Sequence, residues 1–327
     1  MNARLLSSDE YLADAISRIS SATTRVSLLT MIIVEDEATR ALIDVLCHAA
    51  ERGVSVTVAA DMFTYTEIGG HFRLNTRHSK KVRHLTDMQD RLRKSGVNFR
   101  WLGAVASSLI NGRTHSKWLV VDDYVYAFGG INLYEFGLKN IDYMFRLKDS
   151  LLAERLVSEE QRILQADHNN HAYRAHKFGD DTNCVLIDGG FAGDSIIYRH
   201  ACKLAQRATH IVYVSQYCPT GKLGRLLEKT NSSLYFNPWR QATTSLNVLA
   251  IRLGSALSGL KTSYKRQEYI HCKCMIFTLP DGSKRAITGS HNFSAAGVWL
   301  GTREAALETS DPHIIKQLER FIAQHIA

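Results

Sequence analysis

The chain has 327 residues, too many for one small core and suited to two domains or one duplicated unit. With 45% hydrophobic and 22% charged residues and only 4 prolines, it has the composition of a folded globular protein, which excludes disordered, collagenous and low-complexity classes. The formal net charge of +8 favours a polyanionic neighbour, be it nucleic acid, an anionic membrane surface or a phosphorylated substrate, without choosing among them.

In chain order, Asp9 is positioned to cap a helix whose apolar stripe, Tyr11, Leu12, Ile16 and Ile19, runs to about Ser21. A strand is predicted from Arg25 to Val34, a helix from Asp36 to Gly53 and a buried strand from Val54 to Ala60. As a β-α-β unit its two strands are expected to be parallel. The chain is strongly basic between His71 and Arg100, with Arg73, Arg77, Lys80, Lys81, Arg83, Arg91, Arg93 and Lys94, and a helix is predicted from Thr86 to Ser95. That pattern suits either a solvated helix face or an anion-attracting rim. Strands follow from Val97 to Leu102, Ser116 to Asp122, Val125 to Phe128 and Ile141 to Leu147, then a helix from Ser150 to Ala166.

From Asp167 to Asn183 the sequence is polar and patternless, so a linker is expected at 169–183 between lobes of residues 1–168 and 184–327. The cycle then restarts. Strands are predicted from Cys184 to Ile187, His210 to Gln216 and Leu234 to Asn237, with helices from Asp194 to Ala208 and Gly221 to Lys229. Ser245 to Lys261 departs from the first half. Its helical stripe of Leu246, Leu249, Leu253, Leu257 and Leu260, widened by Val248 and Ile251, faces either the core or a membrane. A strand around His271 to Leu279, the turn Pro280-Asp281-Gly282, strands from Arg285 to Thr288 and Arg303 to Thr309, and a helix from Asp311 close the second half as the first was closed.

The six cysteines lack paired zinc-site spacing, and their scatter points to a reducing compartment rather than a disulfide framework. Cys272 and Cys274 are read as small buried side chains, so neither metal nor cofactor is expected. The first ten residues lack the apolar core of a signal peptide, and no apolar run reaches the ~20 residues needed to span a bilayer. The expectation is a cytoplasmic protein, soluble or peripheral at a membrane.

One motif organises the rest. His115-Ser116-Lys117, in a run ending at Asp122, is followed by Gly129-Gly130-Ile131-Asn132, and a second copy reads His271-Cys272-Lys273 followed by Gly289-Ser290-His291-Asn292. On a strand, His and Lys two residues apart leave the same face. A single pair describes a polar strand edge, whereas its recurrence with the Gly-x-Asn tail describes a site. Were the copies to meet, Lys117 and Lys273 could neutralise phosphoryl oxygens, Asn132 and Asn292 could donate amide hydrogen bonds, and two imidazoles could act as nucleophile and general acid without a metal.

These residues resemble the phospholipase D superfamily, whose hallmark H-x-K-x4-D followed by G-G/S-x-N is present twice. The second copy has Thr278 where the Asp would stand and a longer hairpin. The resemblance implies a duplicated α/β/α sandwich, two similar lobes each with a mixed central sheet flanked by helices and the active site at the lobe interface. It implies a phosphohistidine intermediate, with His115 as nucleophile and His271 as general acid/base. It also implies that Asp142 and Glu304, the carboxylates after each Asn, orient the imidazole of the opposite half, with Asp122, Gly130 and Ser290 in support. Within the superfamily the sequence is most similar to bacterial cardiolipin-synthase-like phosphatidyltransferases, through Ala49-Ala50-Glu51-Arg52-Gly53-Val54, the Gly-Gly-Ile-Asn segment and Gly289-Ser290-His291-Asn292-Phe293. That implies a phospholipid substrate at a membrane surface, with a small alcohol, a second phospholipid or water as acceptor. A metal-independent nuclease of the same superfamily is the second candidate, because the positive charge could follow a nucleic-acid backbone; it lacks an evident aromatic-interleaved platform. A degenerate phosphate-binding scaffold, motivated by Thr278, is the third.

Overall fold

The computed structural model describes residues 2–69, 80–103, 112–241 and 245–327. Arg73 and Arg77 of the basic stretch lie outside them, as do the side chains of Lys80, Lys81, Leu246, Leu253 and Leu257. The first half runs β1 (Ala3–Ser7), α1 (Ser8–Ser20), β2 (Arg25–Thr30), α2 (Arg40–Glu51), β3 (Ser55–Asp61), α3 (Phe63–Gly69), α4 (Lys80–Lys94), β4 (Asn98–Leu102), β5 (Arg113–Thr114), β6 (Trp118–Val121), β7 (Tyr124–Ala127), α5 (Glu135–Leu138), β8 (Tyr143–Lys148) and α6 (Ser150–His168). The second runs β9 (His176–Gly179), β10 (Asn183–Gly189), α7 (Ile196–Ala205), β11 (His210–Val214), α8 (Gly221–Lys229), β12 (Asn231–Tyr235), α9 (Ser245–Ser258), β13 (Cys274–Thr278), β14 (Lys284–Gly289), α10 (Ala295–Leu300), β15 (Thr302–Thr309) and α11 (Pro312–His325).

The duplication is visible in the strand order. The first sheet is β1-β8-β7-β6-β2-β3-β4 and the second contains β10-β15-β14-β13-β11-β12, so six strands repeat position for position. In each, the one parallel neighbour pair among those six comes from the β-α-β unit, β2 with β3 and β11 with β12. The repeats differ at their edges, β4 extending the first sheet and β9 the second. The fold is thus two mixed sheets flanked by helices.

Three apolar layers hold it together. One core lies between the first sheet and α1, α2 and α4, built on Tyr11, Leu46, Met88 and Leu119. Another lies between the second sheet and α7 and α8, with Ile197, Leu223 and Met275. The third belongs to both halves. Trp118, Phe145 and Leu156 pack in one cluster with Cys272, Ile276, Leu307 and Phe321, so each sheet buries its inner face against material of the other. Full burial of side chains of this size is worth about 1.5–3 kcal/mol each, which makes this layer the glue between the lobes. Tyr143 adds a polar tie across it, its hydroxyl 2.6 Å from Thr288 Oγ1, which in turn donates to the Phe128 carbonyl.

Several element boundaries differ from the sequence expectation for local reasons. The first helix is capped at Ser7 rather than Asp9, because Glu10 turns back to accept from the Ser7 backbone N–H at 3.0 Å. Asp36 does not start α2 directly; its carboxylate accepts the N–H groups of Ala38 and Thr39 in a turn that delivers the chain to Arg40. Residues 169–183, expected as a featureless linker, contain β9, which pairs antiparallel with β10. Helix α9 forms over the expected stretch; Ile251 is buried while Leu249 is exposed.

The Asp122 and Thr278 positions explain how one copy of the motif does without its Asp. Asp122 sits in the left-handed region at φ 50° and its carboxylate accepts the N–H groups of Thr23, Thr24 and Arg25, pinning the start of β2 to the β6–β7 turn. In the second lobe the backbone carbonyl of Thr278 accepts instead from the N–H of Thr209 at 2.8 Å. We predict that Asp122→Ala costs about 1–3 kcal/mol of stability. It should be read as a lower urea midpoint at unchanged slope; an unchanged midpoint would show that the pin is dispensable.

Candidate active site

Both His-x-Lys segments lie just before their strands, not on them, and each is docked on the opposite lobe. The N–H groups of His115 and Ser116 both donate to the Arg303 carbonyl at 2.9 Å, and those of His271 and Cys272 both donate to the Ile141 carbonyl at 3.0 Å. The acceptor residues stand immediately before Glu304 and Asp142. Short parallel pairings continue the exchange, β5 with β15 on one side and Ile141 with Ile270 on the other. The Gly-x-Asn loops are equally constrained. A Cβ on Gly129 would fall 1.7 Å from the Tyr143 carbonyl oxygen and one on Gly289 2.3 Å from that of Ala305, so only glycine lets these loops lie against β8 and β15.

The side chains follow the backbone across the interface. His115 Nδ1 is 2.9 Å from Glu304 Oε2, and His271 Nδ1 is 2.7 Å from Asp142 Oδ2. Burial opposes ionisation of both carboxyls, yet the facing imidazoles hold them below the usual range, helped by Ser290 Oγ–H on Glu304 and by Lys273 and the Tyr143 N–H on Asp142. An ionised carboxylate only accepts, so each Nδ1 carries the proton and each Nε2 keeps its lone pair. Burial pushes the His115 imidazole down to about 3 and, with the Lys273 charge, that of His271 down to about 4. Gly130 accommodates this packing, since a Cβ there would meet Asp142 Oδ2 at 2.7 Å, while its N–H donates to Asp142 Oδ1.

Lys117 and Lys273 are buried behind the imidazoles. Each Nζ donates to the carbonyl of its own histidine, Lys117 to His115 at 2.8 Å and Lys273 to His271, and Lys273 Nζ also lies 3.1 Å from His271 Nδ1. Burial and mutual repulsion push Lys117 down to about 7, and burial lowers Lys273 as well. Asn132 and Asn292 line the cavity, and their Oδ1 atoms are buried without a hydrogen-bond partner among the described residues.

That cavity, about 1460 Å³, is lined by His115, His271, Asn132, Asn292 and Glu304 together, so the structure gathers residues from both motif copies onto one space. Asp122 is not among them; it acts at the far end of β6. The wall also includes Met31, Ile32, Phe63 and Ile68, and Phe136 and Leu300 are exposed where they line it. Among the described residues no helix is long and apolar enough to cross a membrane, and no group of three His, Cys, Asp or Glu side chains is placed to hold a metal ion. Of the basic stretch, Arg91 is tied to Glu35 and Asp44 and Arg93 to the Phe99 carbonyl.

Two contributors escaped the sequence reading. His291, at the variable position of the second Gly-Ser-x-Asn, lines the cavity and accepts the Phe293 N–H at Nδ1, which fixes its proton on Nε2. Arg303 is buried, its guanidinium held by Asp167 and the His171 carbonyl, and so anchors the carbonyl that receives His115. Its adjacency to Glu304 was the only available signal.

Residues 15–164 match the family described as cardiolipin synthase, PLD-like domain. No curated protein matches the chain. Among solved structures, phosphatidylserine synthase from Haemophilus influenzae superposes with a TM-score of 0.71 at 16% identity, over 99% of this chain and 87% of that one. Polyphosphate kinase from Porphyromonas gingivalis superposes with a TM-score of 0.63 at 12% identity, over 98% of this chain and 49% of the kinase, of which the present chain thus spans about half. At these identities the likeness is one of fold.

The electrostatics make a direct prediction. Nitrogen-15 correlation spectra of the imidazoles should show His115 and His271 as neutral Nδ1–H tautomers from pH 7 down to pH 5, taking up protons only as pH approaches 4 and then 3. Titration of either ring near 6.5 would contradict the described environment.

Proposed function

We propose, from the two copies of the His-x-Lys and Gly-x-Asn motif and the match of residues 15–164 to the cardiolipin synthase, PLD-like domain family, that the chain is a phosphodiester transferase or hydrolase acting on phospholipids through a phosphohistidine intermediate. The observation that carries this reading is the pair of imidazoles, each with Nδ1 beside a carboxylate of the opposite lobe, opening on one cavity. In the first step the His115 Nε2 lone pair attacks phosphorus, the bond from phosphorus to the departing alcohol breaks, and His271 gives that alcohol its proton. In the second, His271 takes the proton of an incoming alcohol or water, whose oxygen displaces His115 and restores the free imidazole.

The low proton affinities of His115, His271 and Lys117 fit this cycle. A phosphodiester brings one negative charge to a space flanked by two buried lysines, where it offsets the repulsion between them and favours the charged forms of Lys117 and His271. Substrate binding therefore charges the acid that the first step consumes. Asn132 and Asn292 donate to the phosphoryl oxygens, and Glu304 stabilises the cationic character that His115 acquires on forming the phosphorus–nitrogen bond.

Apolar residues on the cavity wall, with Phe136 and Leu300 exposed along it, favour a phospholipid, whose acyl chains they can receive. The enzyme then works at a membrane surface as a peripheral protein, with residues 1–168 and 184–327 as its two lobes.

Replacing His115 or His271 with Ala is expected to lower turnover of phosphatidylglycerol vesicles on the order of 10⁴-fold. Quenching the unmodified protein during turnover of labelled phospholipid should leave the labelled phosphoryl group on His115 and not on His271. Plasmid and single-stranded DNA should remain intact under the same conditions. Near-normal activity in either variant would exclude the mechanism, and DNA cleavage without lipid turnover would transfer the assignment to a nuclease.

A further inference from the structure

The peptide just before each histidine is held by a side chain of its own lobe. The Thr114 N–H, ahead of His115, donates to Asp61 Oδ2 at 2.7 Å, and the Ile270 N–H, ahead of His271, donates to Asn237 Oδ1 at 2.8 Å. The two acceptors occupy equivalent places in the repeat. In β2 Leu29 pairs with Trp118 and with Ala59, and in β11 Val214 pairs with Cys274 and with Tyr235. Trp118 and Cys274 directly follow Lys117 and Lys273, and two residues beyond Ala59 and Tyr235 stand Asp61 and Asn237. The two lobes thus make one hydrogen bond with side chains of the same shape and different charge.

Around that shared bond the lobes differ. Asn237 Nδ2 donates to the carbonyls of Ile270 at 2.7 Å and Gln216 at 3.0 Å, so a neutral amide grips the residue before His271 at both its N–H and its C=O. Asp61 is buried, and its Oδ1 accepts the Phe63 N–H at 2.8 Å, so each oxygen takes one N–H as an ionised carboxylate does. Burial and Asp167 oppose that charge, while Arg113 at 3.9 Å and the two N–H groups favour it. Thr114 also accepts at Oγ1 from Arg303, whose carbonyl receives His115, so this pin meets the crossing between the lobes. The charge is felt at Lys117, which burial and Lys273 push down to about 7 and which Glu304, Asp142 and Asp61 draw back upward. At Lys273 the carboxylates acting upward are Asp142 and Glu304, and the amide of Asn237 adds no charge to them.

We propose that Asp61 and Asn237 are paired positioning residues that seat His115 and His271 through the peptide ahead of each, and that Asp61 in addition keeps Lys117 charged. The kinetic expression of this inference rests on the phospholipid reading; the positioning itself does not.

Turnover of phosphatidylglycerol vesicles across a pH series tests it. Asp61→Ala should lower kcat on the order of 10²-fold, the cost of a small displacement of a reacting group. Asp61→Asn keeps an acceptor for Thr114, as Asn237 does for Ile270, and should return kcat to within about tenfold of the unmodified protein. Its alkaline limb of kcat/KM should nevertheless move to lower pH by about half a unit or more, because removing an anion lowers the proton affinity of a neighbouring ammonium. Near-normal kcat in Asp61→Ala, or an alkaline limb unmoved in Asp61→Asn, would overturn the inference. Amide exchange of the unmodified protein covers the case in which a variant does not fold: the Thr114 and Ile270 N–H groups should exchange at least about a hundredfold more slowly than in an unstructured chain. Free exchange of either would overturn the positioning. Absence of turnover in the unmodified protein would contradict the phospholipid reading alone, with the exchange rates then deciding the positioning.

Discussion

Two backbone carbonyls hold this molecule's chemistry together. Arg303 and Ile141 each receive two N–H groups from the His-x-Lys segment of the other lobe, and each is followed immediately by the carboxylate that grips the imidazole it has just positioned. Backbone placement and side-chain orientation are therefore one event. A shift of β15 relative to β6 would move His115 and Glu304 together, which preserves their hydrogen bond while moving the ring relative to its counterpart. The shared apolar layer of Trp118, Phe145, Ile276 and Phe321 resists such a shift.

Against that common frame the two copies have diverged in ways the contacts explain. Gly130 gives Asp142 a backbone N–H, whereas Ser290 gives Glu304 a hydroxyl and also accepts the Ala305 N–H, filling with a side chain what the first copy leaves to backbone. Asp122 pins its turn by a carboxylate and Thr278 by a carbonyl, both remote from the cavity. The missing Asp of the second motif thus changes the scaffold and not the space between the imidazoles. Ile131 is a buried apolar side chain where His291 lines the cavity, so the two sides of the site present different groups.

What the sequence made legible follows the same division. Side chains with distinctive chemistry at fixed spacing were readable, and the repeated order of periodic segments made the duplicated α/β architecture readable with them. Backbone-determined features were not. Ala3–Ser7 lacks β-branched residues and becomes a strand only by pairing with β8, and His176–Gly179 becomes one only against β10. Lys80 begins α4 six residues ahead of the apolar stripe that marked Thr86, because its first turns are polar. The placement of the histidines ahead of their strands depends on carbonyls more than one hundred residues away, which no local pattern encodes.

Two lysines are buried and lowered, two imidazoles face carboxylates of the opposite lobe, and two carboxamides line the cavity they share. The central claim is that both lobes serve one phosphate. A crystal structure with tungstate as a phosphate stand-in tests it most directly. One oxyanion per chain within bonding or hydrogen-bonding reach of Nε2 on both His115 and His271 is the predicted result; separate anions on the two histidines, or one that contacts a single lobe, would contradict it.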